Sequence, residues 1–140
     1  MHIEKHFDVQ RPPAEARELV ANDETLLTLF PDAESEIVAS DGDRRTVRTR
    51  YQVLGQDGTA TFHFTFLPDA VRFEKVCDGR VWRELCGTVS FVARGKGTRV
   101  LIEADGRTKS LVPEFTIRGP MKDQIEQMAG ALRRRIKSGA

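Results

Sequence analysis

The side chains that most often do chemistry in proteins are few in this chain, which has three histidines and two cysteines. His2 and His6 share one face of a predicted strand, roughly 13 Å apart along an extended chain, too far to hold one metal ion together. His63 alternates with phenylalanines, which predicts an outward-facing strand histidine and not a catalytic base. Because neither a non-haem iron set of two histidines and a carboxylate nor a zinc cluster can be assembled, we predict no metal site and no cofactor.

Cysteine spacing and short motifs give no catalytic signature. Cys77 and Cys86 lack the C-x-x-C spacing of zinc and redox sites, so we interpret them as small apolar side chains. The chain contains no G-x-S-x-G, H-E-x-x-H or G-x-x-x-x-G-K-[ST] motif. Gly95-Lys96-Gly97 resembles a phosphate-binding turn, but a predicted hairpin surrounds it and no helix follows. We therefore predict no catalytic residue.

Two cations near one predicted hairpin are the best candidates for recognising a ligand. Lys75 and Arg83 are expected on the inward face of the sheet, where they could meet an anionic group at the mouth of a cavity. The alternative is that both extend past the core into water. Trp82 is expected to point outward, either towards a protein partner or under a loop of the same chain. An enzyme would have to transfer protons with Tyr51, Lys75 and Arg83.

A C-terminal helix must cover the sheet that carries these side chains. From Val112 to Lys137, apolar residues recur at steps of three and four, which places them on one helix face. Pro120 removes an internal N–H, so we predict a kink there; the alternative is that regular helix begins near Gly119. The apolar stripe consists of Ile117, Met121, Ile125, Met128, Leu132 and Ile136.

The rest of the chain predicts strands and two short helices. His2–Val9 alternates polar and apolar residues, as an edge or half-buried strand does. Two helices follow, one from Pro12 and Pro13 to about Asn22 and one that Asp23 caps. Between residues 33 and 108 the apolar period is two, with turn signals at DGD, QDG, CDG and GKG. This predicts a meander of six antiparallel strands.

The turn signals also predict which residues face each other across the strands. We expect three-residue turns at 41–43 and 78–80, and two-residue turns at 57–58 and 96–97. A two-residue turn at 78–79 is an alternative that would pair Glu74 with Arg83. The expected pairs are Ile37 with Val47, Val53 with Phe62, Tyr51 with Phe64, Phe73 with Leu85 and Phe91 with Ile102.

Composition limits the partners of this protein. The 140 residues carry 22 Lys and Arg against 21 Asp and Glu, so no strong overall field attracts nucleic acid or an anionic membrane. No run approaches the ~18 apolar residues of a membrane span, and the N-terminal residues lack the apolar core of a signal peptide. We therefore expect a cytoplasmic protein with one domain over residues 1–140, and neither nucleic acid nor an integral membrane association.

Three short segments carry a resemblance to a known superfamily. LLTLFPDA closes the second predicted helix, GKGTRVLIEA leads into the last strand, and VPEF leads into the final helix. Together with the element order, they resemble the START/Bet v 1-like (SRPBCC, polyketide cyclase/dehydratase-like) superfamily. The resemblance implies an α+β helix-grip fold, in which a curved seven-stranded antiparallel sheet wraps around the C-terminal helix. It also implies a cavity between sheet and helix, which in relatives holds lipids, sterols, polyketides, hormones or hydrophobic cofactors.

From these features we expect non-enzymatic binding or transport of a small hydrophobic ligand of lipid, polyketide or isoprenoid type. The alternatives are a protein-interaction module without a small ligand and a cyclase/dehydratase-like enzyme. A homodimer or a protein partner could form through Trp82 or through the basic helix end at residues 133–137. The expected ligand-binding residues are Tyr51, Phe62, Phe64, Phe66, Phe73, Lys75, Arg83, Leu85, Met121, Ile125 and Met128.

Overall fold

Seven strands and three helices make up the part of the chain that the computed structural model describes, residues 1–53 and 55–139. Each strand pairs antiparallel with its neighbours in the order β1-β7-β6-β5-β4-β3-β2, and the long helix α3 packs against the curved sheet. The predicted α+β helix-grip architecture is therefore confirmed. In chain order the elements are β1 (His2–Val9), α1 (Pro13–Val20), α2 (Asp23–Leu27), β2 (Glu34–Asp41), β3 (Arg44–Val53), β4 (Gln56–Leu67), β5 (Ala70–Lys75), β6 (Trp82–Arg94), β7 (Gly97–Thr108) and α3 (Glu114–Ser138).

The apolar stripe of α3 packs against one half of the sheet. Five of its six predicted members are buried, and Ile117, nearest the N-terminus, is half-buried against the core. The helix makes most of its contacts with β1, β7 and α1. The β3–β4 half of the sheet is consequently covered less closely by the helix. The buried stripe residues are Met121, Ile125, Met128, Leu132 and Ile136.

Helix α3 runs without interruption through Pro120. It begins at Glu114, so the alternative start near Gly119 is wrong, whereas the predicted kink stays a prediction. Gly139 ends the helix in a left-handed conformation, with φ 67, and its N–H donates to the carbonyl of Arg135 at 3.2 Å. Among the described residues, no helix combines the length and the apolarity that crossing a bilayer requires.

Both short helices form where the sequence predicts them, with a correction at one cap. Asn22, and not Asp23, caps α2, because the Asn22 side chain accepts a hydrogen bond from the backbone N–H of Thr25 at 2.9 Å. The Arg135 guanidinium reaches back from α3 to the Thr25 hydroxyl at 3.1 Å and to Glu24 at 3.3 Å. One arginine of the basic helix end therefore forms its contacts with residues of the same chain.

The β2–β3 hairpin has the predicted pair but a different turn. Ile37 faces Val47, as expected. Val38 is an extra residue in β2, since Ala39 faces Thr46, and this bulge shortens the predicted three-residue turn to two residues. Gly42, in the left-handed region with φ 58, occupies the first turn position.

The predicted register of β3 and β4 is wrong. Val53 faces Gln56 and Tyr51 faces Gly58, so the chain reverses three residues earlier than the Asp57-Gly58 turn signal predicts. Phe62 accordingly faces Val47, where we expected Val53. Gly58 is needed as an interior strand residue, because a side chain there would collide with the ring of Tyr51. Each residue of β3 pairs with a β4 residue that lies an even number of positions from the predicted partner. The side chains therefore stay on the sheet faces where they were predicted.

The hairpins on either side of β6 also differ from the prediction. Phe91 faces Val100 instead of Ile102, and the turn falls at Gly95 and Lys96. Phe73 faces Gly87 instead of Leu85, and Glu74 faces Cys86, so the alternative pairing of Glu74 with Arg83 is wrong as well. A side chain at position 87 would collide with the ring of Phe73 and with the backbone of β7. The chain between β5 and β6 is therefore a longer loop, residues 76–81.

Candidate functional site

A cavity of about 550 Å³ lies between the β3–β4 half of the sheet and the N-terminal half of α3. The loops after α2 and after β5 complete its wall, and several of the lining residues are exposed, so the cavity opens to solvent. Such a volume is in the range that small-molecule sites use. Its apolar and aromatic lining comprises Phe30, Ala33, Tyr51, Ala60, Phe62, Val81, Trp82, Leu85, Ile117, Pro120 and Met121.

Two neighbouring strands, β3 and β4, form the sheet side of this space. Tyr51 and Thr49 on β3 face Gly58 and Ala60 on β4, and all four line the cavity. Since α3 lies mainly over β1 and β7, the helix covers this part of the sheet less closely, and the ring of Tyr51 lies on Gly58 in the cavity wall. The cavity is thus a consequence of where the helix packs.

A bulge at the start of β6 brings Trp82 into the cavity wall, which corrects two predictions. Trp82 faces Thr108 and Glu84 faces Arg107, so Arg83 is an extra residue on β6. Trp82 is therefore buried, at 9% exposure, and Arg83 is exposed and not part of the lining. The indole packs on Gly106 of β7, where a side chain would collide with it. The sequence signal that could have located the indole is the glycine at position 106, opposite the start of β6.

The cavity wall also carries polar and charged groups. Lys75 at the end of β5 is half-buried, and no carboxylate of the described residues lies within ion-pair distance of its ammonium group. Asp78 and Arg80, on the loop after β5, pair with each other at 3.4 Å, and both are largely exposed. The Thr49 hydroxyl shares a hydrogen bond of 2.9 Å with that of Ser35. Lys75 is therefore the lining cation best placed to meet an anionic group of a ligand.

Apart from Arg83, which is exposed, the structure divides the predicted ligand-binding residues into two groups. The members that line the cavity are Tyr51, Phe62, Lys75, Leu85 and Met121. The members that belong to the packed core instead are Phe64, Phe66, Phe73, Ile125 and Met128.

The phenylalanines of the second group pack together on the part of the aromatic face that lies away from the cavity. The rings of Phe62 and Phe64 have centroids 6.2 Å apart, and those of Phe64 and Phe73 are 6.4 Å apart, both pairs tilted. The Arg45 guanidinium lies 5.3 Å from the ring centroid of Phe66 and donates to Asp23 at 2.8 Å. This end of the aromatic face is therefore packed, and only its Phe62 end meets open space.

One cluster with metal-ligand chemistry lies outside the cavity, on the exposed side of the β1–β7 pair. The ligand atoms of His2, Glu4 and Glu103 lie within 4.8 Å of one another. His2 is hydrogen-bonded to Asp105 at 2.7 Å and to Glu4 at 3.5 Å, and these carboxylates raise the pKa of its imidazole.

The remaining candidate groups have structural contacts. His63 shares a hydrogen bond of 2.9 Å with the Thr46 hydroxyl. Cys77 and Cys86 are free and half-buried, and burial raises the pKa of the Cys77 thiol, which makes it a poor nucleophile. Among the described residues that line the cavity there is neither a histidine nor a cysteine.

The sequence matches no protein-family model, and no curated protein is significantly similar to it. Solved structures with the same fold are numerous. TTHA0849 from Thermus thermophilus has 19% identity and a TM-score of 0.80, over 100% of this chain and 99% of that one. The Zhui aromatase/cyclase from a Streptomyces species has 16% identity and a TM-score of 0.77, over 99% and 93%. A STAR-related lipid transfer protein from Xanthomonas axonopodis has 15% identity and a TM-score of 0.70, over 97% and 85%.

These likenesses extend over nearly the whole chain at low sequence identity, so they bear on the fold and not on the activity. They agree with the strand order and with the position of the long helix against the sheet. This chain therefore has the helix-grip fold of the START/Bet v 1-like proteins.

Proposed function

We propose that this protein binds a small hydrophobic ligand in the cavity between the β3–β4 half of the sheet and α3, and releases it unchanged. The observation that carries the proposal is an open space of about 550 Å³ whose wall includes Tyr51, Phe62, Trp82 and Met121. Aromatic and thioether side chains suit an apolar body that needs no fixed hydrogen bonds. Two structural neighbours are described as a lipid transfer protein and as an aromatase/cyclase, which supports an apolar molecule as the cargo.

We further propose that the ligand has an acidic head that contacts Lys75. Lys75 is half-buried in the wall, and its ammonium group has no carboxylate within ion-pair distance among the described residues. A carboxylate or phosphate would form a charge-assisted hydrogen bond there, and such bonds are stronger than neutral ones. Gln124 and Gln127, on the helix side of the cavity, could hydrogen-bond a hydroxyl of the same ligand.

Native mass spectrometry of freshly purified protein tests the proposal most directly, because a co-purifying ligand would reveal its mass. Trp82 is the one tryptophan of the chain and lines the cavity, so a ligand that enters should change its emission. Absence of a co-purifying ligand, together with unchanged Trp82 emission when apolar acids are added at micromolar concentration, would contradict ligand binding.

A substitution at Lys75 tests the nature of the head group. Lys75→Gln should weaken binding of a fluorescent fatty acid about tenfold, the usual effect of removing one charge-assisted hydrogen bond, and should leave binding of its methyl ester unchanged. Lys96→Gln, in the exposed β6–β7 turn, is the matched control and should change neither. If Lys75→Gln changed binding of the acid and of the ester equally, Lys75 would not contact the acidic head group.

A cyclase/dehydratase-like enzyme is the second candidate, because Tyr51 and Lys75 both line the cavity and can transfer protons. It differs from the first in one respect that can be measured. An enzyme would return an altered molecule, so mass spectrometry of a polyketide-like or fatty acyl compound incubated with the protein should detect a new product. Recovery of the compound unchanged favours binding alone.

A further inference from the structure

Two large apolar side chains project into solvent where β7 leads into α3. Leu111, in the turn, is 94% exposed, and Phe115, in the first turn of the helix, is 82% exposed. The next most exposed large apolar residue of the described chain is Val92, at 54%. The difference singles out Leu111 and Phe115, because scattered and partly exposed apolar residues are ordinary on protein surfaces.

Hydrogen bonds hold this turn in a defined conformation. The Thr108 hydroxyl donates to the carbonyl of Val112 at 2.7 Å, and the N–H of Val112 donates to the carbonyl of Lys109 at 2.9 Å. The N–H of Lys109 donates to the carbonyl of Val81 at 2.9 Å, which ties the turn to the loop after β5. Leu111 is therefore presented outward by an ordered turn.

The segment around these residues is strongly basic in a chain whose charges are nearly balanced. Residues 107–122 contain four basic side chains and one acidic one, Glu114. The N-terminal amine lies 3.5 Å from Glu114, whereas Lys109, Arg118 and Lys122 have no acidic partner within ion-pair distance among the described residues. Phe115, Arg118 and Lys122 are spaced three and four residues apart, so they share one exposed face of α3.

The same segment adjoins the cavity. Val81, which accepts the hydrogen bond from Lys109, lines the cavity, and so does Ile117, two residues after Phe115. Exposed apolar side chains and unpaired cations of the described chain therefore lie next to one end of an apolar cavity. Apolar residues flanked by Lys and Arg are the combination that binds the interface of an anionic bilayer.

We propose that this surface, Leu111 and Phe115 with Lys109, Arg118 and Lys122, docks on anionic lipid membranes. Leu111 and Phe115 enter the headgroup region, and the three cations contact lipid phosphates. Charge complementarity favours a lipid surface over a second copy of this chain, because two copies would bring the cations together. The docking itself does not depend on the cavity; its purpose, exchange of an apolar ligand with the membrane, rests on the proposed function.

Vesicle co-sedimentation of the full chain tests the docking. The protein should bind vesicles that contain phosphatidylglycerol, and should bind vesicles of phosphatidylcholine alone at least about tenfold more weakly, with binding to the anionic vesicles falling as salt rises. Leu111→Asp with Phe115→Asp should reduce binding to the anionic vesicles by about tenfold or more. Val92→Asp, which also replaces an exposed apolar residue with a charge but lies on β6, is the matched control and should bind as the parent protein does.

Four outcomes would overturn the proposal. They are no binding to anionic vesicles, equal binding to both vesicle types, equal loss of binding in the Val92 control, and a dimer in sedimentation equilibrium that the Leu111 and Phe115 substitutions dissociate. The last would show that a second copy covers this surface. Because the double variant keeps every cavity-lining residue, it should bind the fluorescent fatty acid in solution as the parent protein does. A failure of docking is thereby distinguished from a failure of ligand binding.

Discussion

Met121 and Met128 provide a matched pair of substitutions that separates a ligand cavity from an ordinary core. Both lie on the buried stripe of α3, at 7% and 4% exposure. Both belong to the packed core, but only Met121 also lines the cavity. A tryptophan at position 121 therefore extends into open space, but the same ring at position 128 must displace packed atoms, which costs about 1 to 3 kcal/mol.

The two variants should differ in stability and in binding, in opposite senses. A chain of this size loses roughly 4 °C of Tm per kcal/mol, so Met128→Trp should lower Tm by roughly 4 to 12 °C. Met121→Trp should stay within about 2 °C of the parent protein, since the added ring atoms can extend from the core into the cavity. Well below both Tm values, Met121→Trp should abolish binding of the fluorescent fatty acid, and Met128→Trp should retain it.

Two results would refute this reasoning. If Met121→Trp lowered Tm as much as Met128→Trp and still bound the probe, the space beside Met121 would be ordinary packing and the ligand would sit elsewhere. If both variants bound the probe and both were stable, the stripe would be less tightly packed than the burial of Met128 indicates.

Two further predictions concern the helix face and the pH dependence of stability. Ile125→Asp places an unpaired charge in the core and should reduce the free energy of unfolding by several kcal/mol, whereas Lys122→Asp on the exposed face should change it by less than about 1 kcal/mol; equal urea midpoints would show that the helix face is misassigned. Because Asp105 and Glu4 raise the pKa of His2, protonation at His2 stabilises the fold below pH about 6.5, and this contribution is lost as pH rises through the raised value. His2→Gln should therefore lower the urea midpoint more at about pH 5.5 than at about pH 8.5, and a constant difference would contradict the contact.

Local periodicity explains which features the sequence predicts. The three- and four-residue spacing that includes Ile125 and Leu132 depends only on the helix itself, so the buried stripe follows from the sequence. The cavity position does not, because it depends on which strands the helix covers. It covers β1 and β7, and the open space therefore falls beside the β3–β4 half of the sheet.

A glycine accounts for the register error between β3 and β4. A glycine after an aspartate signals a turn, but Asp57-Gly58 and Asp105-Gly106 both lie inside strands. In each case the glycine receives an aromatic ring from the neighbouring strand, from Tyr51 at position 58 and from Trp82 at position 106. A tight turn and a strand position under an aromatic ring both require glycine. Only the pairing of the strands decides which of the two a given glycine serves.

The bulges at Val38 and Arg83 were not predictable for a related reason. An extra residue in a strand shifts the alternation of inward and outward side chains by one position. The residue types on either side of the bulge do not indicate this shift. At Arg83 the offset exchanged the expected positions of the indole and the guanidinium, so one cavity residue was missed and one surface residue was included.

The bulge at Val38 also bears on whether two copies of this chain can pair along the edge of the sheet. Strand β2 is the last strand of the sheet on its side, so one row of its backbone N–H and C=O groups has no neighbouring strand among the described residues. The extra residue interrupts that row and twists the edge, and Glu34, Glu36 and Asp41 give it negative charge. A second β2 brought alongside would meet mismatched hydrogen-bonding groups and like charges. Deleting Val38 would remove the first obstacle and turn the edge into a template for strand addition between molecules.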